Sequence, residues 1–146
     1  MWTKRVIEHE FGQNKKNLVL ALSTDGFNPY RNSNRSIWPI VIQILNLPCR
    51  LRNQPSLMMM VGIIPGPTKP KSIQCYLKII VDELLLLWSN GVSVTDASDN
   101  QVCLVKCQLL YTVADYQAHP MINLQSGTGN FHACMKCNLL VSNCCT

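Results

Sequence analysis

Apolar residues fall in short runs separated by polar or proline-containing stretches, a pattern typical of strands in a buried sheet. The first run covers residues 17–24 and shows little alternation, so it predicts a strand with both faces covered. Two further runs, at 37–47 and 57–64, predict a second and a third strand. Pro39 restricts the second strand to a sheet edge or a bulge, because proline has no N–H to donate. Residues 102–116 predict a fourth, longer strand.

One segment has helical periodicity instead. Apolar side chains within residues 72–89 recur at spacings of three and four, which predicts an α-helix. Ser72 stands where an N-cap is expected, and Gly91 stands where a left-handed residue after the helix is expected. Asp82 and Glu83 lie beside the apolar stripe, so we interpret them as part of a solvated helix face.

The order of these elements predicts an α/β fold. Three consecutive strands can pair as an antiparallel meander, and the helix can then cross over and return the fourth strand parallel to the first. Parallel neighbours end at the same edge of a sheet. In this arrangement the first strand ends at Asp25 and the fourth ends at Asp115, so we expect the two acids at one edge.

The composition fits one folded domain. The chain has 146 residues, of which 47% are hydrophobic and 14% charged, and this excludes extensive disorder. Its net charge of +5 permits a polyanionic partner without requiring one. No apolar stretch reaches the roughly 20 residues of a membrane span, and the start has no signal-peptide core. We therefore expect an intracellular protein whose eight cysteines are reduced or bind metal.

Asp25 and Asp115 are the only two of the eight carboxylates that terminate strongly apolar strands. Asp25-Gly26 is also a common turn dipeptide, so an ordinary turn is one interpretation. The other interpretation is a metal site, because two adjacent carboxylates repel one another unless a cation lies between them. Mg²⁺ or Mn²⁺ would suit such oxygen ligands. The residues alone leave both interpretations open.

Six stretches of the chain follow one another in the order and spacing of a known family. They are LALSTDGFNPY, IWPIVIQILNLP, IIPGPTKP, YLKIIVDELLLLWSNGV, LLYTVADYQA and ACMKC. In these stretches the chain resembles the Tnp2-type transposases of CACTA (En/Spm-like) DNA transposons. The resemblance covers about residues 17–138, which we expect to form a partial transposase domain between a polar lead-in at 1–16 and an irregular Cys-rich tail at 139–146.

The resemblance implies an RNase H-like catalytic core, with a mixed sheet of three antiparallel strands, a crossover helix and a fourth strand parallel to the first. It implies that Asp25 and Asp115 are two catalytic acids of a DDE/D enzyme that holds two divalent ions, Mg²⁺ or Mn²⁺. The implied activity is the cleavage of DNA at transposon ends and the transfer of the cut strands. A nuclear location and association with further copies of the chain follow from the same resemblance.

The chain departs from the family in its C-terminal part. A third acid is expected well beyond the second, yet residues 116–146 contain no Asp or Glu. We therefore expect a C-terminally truncated fragment that is inactive by itself. The alternative is a non-catalytic, transposon-derived module that binds DNA or protein.

A Cys-x-x-Cys pair, Cys134 and Cys137, has the spacing of half a tetrahedral zinc site. The family carries such a pair, and its remaining zinc ligands would lie later than residue 146. His132, Cys144 and Cys145 are substitutes without a supporting pattern. We accordingly predict a Zn²⁺ half-site at this pair, and we interpret Cys49, Cys75, Cys103 and Cys107 as small core or near-surface residues.

Four basic residues follow predicted strand ends: Arg31, Arg35, Lys69 and Lys71. Loop cations near a catalytic edge can contact DNA phosphates, which adds affinity without sequence specificity. The alternative is that loops are simply where charged side chains are solvated. Both interpretations stand at this point.

Overall fold

The structure is a computed structural model that describes residues 10–29, 36–66, 70, 72–115 and 118–123. Its elements are α1 (Glu10–Gln13), β1 (Leu18–Thr24), β2 (Ser36–Ile44), α2 (Cys49–Arg52), a 3₁₀ turn (Pro55–Leu57), β3 (Met58–Gly66), α3 (Gln74–Ser89), β4 (Val92–Thr95), β5 (Val102–Val105), β6 (Cys107–Ala114) and α4 (His119–Asn123). Within these ranges no helix combines the length and the apolar character needed to cross a membrane.

Four strands form the main sheet, in the order β3-β2-β1-β6. β1 pairs antiparallel with β2, and β2 pairs antiparallel with β3. β6 pairs parallel with β1, after the crossover through α3. The predicted mixed α/β sheet is therefore confirmed, with its meander of three strands and its one parallel pair.

The predicted fourth strand is wrong as a single element. Within this stretch, residues 102–114 form two strands, because β5 pairs with β4 in a separate hairpin and only β6 joins the main sheet. The change of sheet occurs at Lys106, whose carbonyl oxygen accepts the N–H of Leu18 at 2.8 Å. β4 was not predicted. Its four residues are all exposed, so they carry no pattern of buried and exposed positions.

Pro39 does not lie at a sheet edge, so of its two predicted settings, an edge or a bulge near the start of the strand, the edge is wrong. β2 is an interior strand, with β1 on one side and β3 on the other. The β1–β2 pairing keeps one register past the end of β1, and the matched pairs there are Thr24 with Ile40 and Phe27 with Ile37. In that register Pro39 faces Asp25, so its missing N–H lies where the regular β1–β2 ladder has ended and before the pairing resumes at Phe27 and Ile37. A bulge near the start of β2 is present, between Ile40 and Val41.

The core lies between α3 and one face of the sheet. Its main cluster consists of Leu22, Trp38, Ile40, Ile64, Ile73, Leu77 and Ala118. A second cluster of Leu20, Ile42 and Cys107 continues along the same face. β1 is central, and its residues Leu20, Ala21 and Leu22 are all buried, as a strand covered on both faces requires.

Helix α3 follows its predicted course with one difference at its start. The N-cap residue is Ile73 rather than Ser72, and the Ser72 hydroxyl oxygen accepts the N–H of Gln74 at 3.3 Å. Gly91 has a φ of 73°, the left-handed conformation predicted for the residue after the helix. Asp82 and Glu83 are exposed, as expected.

Asn17 joins three segments at the start of β1. Its side-chain amide donates to the carbonyl of Phe11 at 2.8 Å, and its side-chain oxygen accepts the N–H of Lys106 at 3.1 Å. Its own carbonyl accepts the side-chain amide of Asn46 at 3.0 Å, and the side-chain oxygen of Asn46 accepts the N–H of Val19. Asn17 is buried, and these bonds fix the point where β1 and β6 begin to run side by side.

Candidate functional site

Asp25 and Asp115 lie next to each other at the carboxyl edge of the sheet. The parallel pairing of β1 with β6 ends on Thr24 opposite Ala114, and each acid is the next residue of its strand. Neighbouring strands are about 4.8 Å apart. The structure therefore brings the two acids to matched positions on neighbouring strands.

The two acids line one cavity of about 210 Å³. Its lining residues are Ser23, Thr24, Asp25, Pro39, Val41, Val113, Ala114 and Asp115. Ser23, Pro39 and Val41 alternate along their strands with the buried residues that face α3, so this cavity opens on the sheet face away from α3. Asp25 and Asp115 are both exposed there, where a solvated ion or an extended ligand has access.

The two carboxylates have different surroundings. Asp115 Oδ1 accepts the N–H of Ala118 at 2.6 Å and so closes the turn that leads into α4. Among the described residues, no hydrogen-bond donor contacts the Asp25 side chain, and no ion pair involves either acid. One oxygen of Asp115 thus accepts a backbone hydrogen bond, whereas the Asp25 carboxylate accepts no hydrogen bond within the described ranges.

The Asp25-Gly26 dipeptide is not a tight turn. Phe27 exchanges two backbone hydrogen bonds with Ile37, at 3.1 and 3.0 Å, so the chain is still paired with β2 after the dipeptide. Gly26 is also not among the described glycines with positive φ. The turn interpretation of Asp25 is therefore wrong, and Asp25 lies where the β1 strand loses its regular ladder opposite Pro39.

Gly26 is required by close packing. A Cβ atom at this position would lie 2.5 Å from Cε2 and 2.6 Å from Cζ2 of Trp38. Trp38 is buried in the main core cluster, so its ring has little room to move away. Because Gly26 has no side chain, the backbone directly after Asp25 can pack against the core.

Three buried polar atoms at this end of the sheet have no hydrogen-bond partner among the described residues: Thr24 Oγ1, Ser36 Oγ and Trp38 Nε1. Thr24 and Trp38 are 3% and 6% exposed, so both are well removed from bulk water. Sequence reasoning missed these groups. The signal in the sequence was Thr24, a polar residue at a core-facing position directly before Asp25.

The other predicted site residues lie outside the described residues. This holds for the DNA-contact candidates Arg31, Arg35, Lys69 and Lys71 and for the zinc candidates Cys134 and Cys137. Of the cysteines within the described ranges, Cys107 is buried, Cys103 is half-buried, and Cys49 and Cys75 are exposed. In that part of the chain no group of three His, Cys, Asp or Glu side chains comes together.

The chain was also compared with known proteins. A family model described as Transposase family tnp2 matches residues 2–146, nearly the full length. The comparison with curated proteins found no match, and neither did the comparison with solved structures. The chain therefore belongs to the tnp2 family of transposases.

Proposed function

We propose that this chain carries part of the catalytic core of a CACTA-type DNA transposase with an RNase H-like fold. In this proposal Asp25 and Asp115 are two of the carboxylates that hold divalent metal ions, Mg²⁺ or Mn²⁺. The family supports a transposase-related function in general. The finer proposal, a DDE/D site on these two acids, depends on one structural observation.

That observation is the register of the parallel pair. Thr24 and Ala114 are matched on β1 and β6, so the acids that follow them share an edge and a cavity. Two adjacent carboxylates repel one another, and among the described residues no cationic side chain pairs with either acid, so a bound cation would stabilise the pair. Hard divalent ions prefer carboxylate and water oxygens, so the donor set fits Mg²⁺ or Mn²⁺.

A bound pair of such ions supplies an activated attacking oxygen and stabilises the leaving oxygen in phosphoryl transfer. The residues of this chain would hold and orient these ions. The backbone next to Asp25 is held by the packing of Gly26 on Trp38, and the Asp115 carboxylate is held by the N–H of Ala118. The site lies at an open edge, where an extended polymer such as DNA can approach.

The sequence also limits the activity that we expect of this chain by itself. Residues 116–146 contain no Asp or Glu, so this stretch does not supply the third carboxylate expected of such a site. We expect the chain to bind a divalent ion through Asp25 and Asp115 without cutting DNA. This feature also favours the second candidate function, a non-catalytic module that binds DNA or protein.

DNA is the proposed partner, and a nuclear location and self-association belong to the same proposal. The net charge of +5 favours the approach of a polyanion. Arg31, Arg35, Lys69 and Lys71 remain predictions as phosphate contacts. Cys134 and Cys137 remain a prediction as half of a Zn²⁺ site.

Mn²⁺ binding tests this proposal on the full chain. Electron paramagnetic resonance of free Mn²⁺ measures the affinity of the wild type and of the Asp25→Asn and Asp115→Asn variants. Asn at 115 can still accept the N–H of Ala118, so this variant removes charge and preserves the turn. Asp82→Asn is the matched control, because Asp82 is exposed on α3 and pairs only with Lys78 among the described residues.

We expect either site variant to weaken Mn²⁺ binding by about tenfold or more, with competition by Mg²⁺, and we expect Asp82→Asn to match the wild type. A wild type that takes up no Mn²⁺, or an equal loss in the control, contradicts the metal site. DNA binding that is independent of metal and unchanged in both site variants would support the non-catalytic module instead.

A further inference from the structure

Gln74, in the first turn of α3, contacts the segment that follows the second acid. Its side-chain Nε2 donates to the carbonyl oxygen of Met121 at 2.6 Å and to that of Ile122 at 3.1 Å. Both carbonyls lie near the end of α4, where helix carbonyls lack partners inside the helix. Gln74 is half-buried, so these bonds are partly shielded from water.

The other end of α4 is connected to the candidate site. Asp115 Oδ1 accepts the N–H of Ala118, and the carbonyl of Ala118 accepts the N–H groups of Met121 and Ile122 at 3.0 and 3.2 Å. Ala118 is fully buried in the main core cluster. A continuous series of hydrogen bonds therefore runs from α3 through α4 to the carboxylate of Asp115.

Helix α4 needs such support. It has five residues, and isolated helices of that length are not stable in water. Met121 and Ile122 pack against the core, which holds α4 near the sheet. Hydrogen bonds are directional, so the two bonds from Gln74 add a constraint on the orientation of α4.

We propose that Gln74 is a positioning residue for the metal site: it anchors α4 and thereby sets the orientation of the Asp115 carboxylate. This inference rests on the proposed function, since it assigns Gln74 a role in metal binding by Asp115. Groups that orient metal ligands from outside the ligand set typically change metal affinity by about 10- to 100-fold.

Three variants separate positioning from general stability. Gln74→Leu keeps similar bulk and removes both donors. Gln74→Lys keeps a side-chain donor for the carbonyls at the end of α4, so it should restore the contact. Gln43→Leu is the matched control, because the one side-chain hydrogen bond that Gln43 donates among the described residues goes to Asn53, at 3.3 Å and away from the acids.

Two measurements on the full chain give the result. In the absence of metal, amide hydrogen exchange of Ala118 and the ¹³C chemical shift of the Asp115 carboxylate report the orientation of that carboxylate. The Mn²⁺ affinity reports metal binding at the site. In Gln74→Leu we expect exchange at Ala118 to become about tenfold faster. We expect Mn²⁺ binding to weaken about tenfold, with a shifted Asp115 carboxylate signal. Gln74→Lys should resemble the wild type, and so should Gln43→Leu.

The amides of the β1–β6 ladder serve as an internal reference, because faster exchange there as well would indicate general unfolding. In that case the Gln74→Lys variant decides, and a loss of Mn²⁺ affinity with an intact Ala118 amide overturns the inference. An unchanged Asp115 signal and unchanged Mn²⁺ affinity in Gln74→Leu also overturn it. A wild type that binds no Mn²⁺ rejects the proposed function and this role in metal binding together. The metal-free signals then show separately whether Gln74 orients Asp115.

Discussion

At the scale of single residues, the candidate site depends on residues that take no part in the proposed reaction. Gly26 allows the chain after Asp25 to lie directly on the ring of Trp38. Asn17 fixes the start of the two strands that carry the acids. Each of these contacts leaves little room for a different side chain, so we can predict the effect of a small substitution at each position.

Gly26→Ala should destabilise the fold. The added methyl group would lie 2.5 Å from Trp38 Cε2, and overpacking of this kind costs about 1–3 kcal/mol. Gly62→Ala is the matched control, because its Cβ would lie 3.6 Å from Ile40 Cδ1, an ordinary contact. Urea denaturation of both variants measures the free energy of unfolding. Equal effects of the two substitutions would contradict the close packing at Gly26.

Asn17→Ala should also lower the free energy of unfolding. It leaves the partly buried N–H of Lys106 and the buried carbonyl of Phe11 without their partner, and the loss of a buried partner costs about 1–3 kcal/mol. Asn53→Ala, at an exposed position, should change stability by less than about 0.5 kcal/mol. Thermal or urea denaturation checks both values. A loss at Asn17 no larger than that at Asn53 would show that this connection contributes little.

At the scale of elements, predictability follows the length of the hydrophobic pattern. β1 and α3 were predictable because each has a sustained apolar period and a clear end signal, such as Gly91. The β4–β5 hairpin was not, because the four residues of β4 are all exposed, and because only Lys106 separates β5 from β6, so the two strands form one apolar run in the sequence. The edge position predicted for Pro39 is wrong because the effect of a proline depends on which neighbour its nitrogen faces, and the sequence does not contain that information.

The β4–β5 hairpin has a contact of its own with the segment before β1. Lys16 Nζ lies 2.9 Å from Asp96 Oδ2, at the turn of the hairpin. The pKa of Asp96 is well below its usual range, first because the N–H of Ser98 donates to the carboxylate, and then because the Ser98 hydroxyl and the Lys16 ammonium do so. The folded state therefore favours the ionised carboxylate.

This contact makes stability depend on pH. A lowered pKa stabilises the fold above the unfolded-state value of about 3.9, and that stabilisation is lost as the pH falls further. We expect the free energy of unfolding to decrease between about pH 5 and pH 2.5, with a smaller decrease in Asp96→Asn. Ser98→Ala, which removes only the hydroxyl donor, should lie between the two. Identical pH profiles for wild type and Asp96→Asn would contradict this origin.

At the scale of the whole molecule, the parallel return of β6 beside β1 is what creates the candidate site. The strand order was predictable from the sequence, and it was enough to give Asp25 a partner in Asp115. The supports of the two acids were not predictable. Gly26 and Trp38 meet only through the β1–β2 register, and Gln74 reaches the Asp115 turn only through the packing of α3 and α4. Contacts between residues distant in sequence leave no pattern in a single chain.

The most direct measurement is an anomalous difference map from crystals of this chain grown or soaked with Mn²⁺. We predict a peak between the carboxylates of Asp25 and Asp115, about 2–2.5 Å from an oxygen of each, and its loss in Asp25→Asn crystals. Two carboxylates found at separate places on the sheet, or a peak that contacts neither of them, would contradict the account.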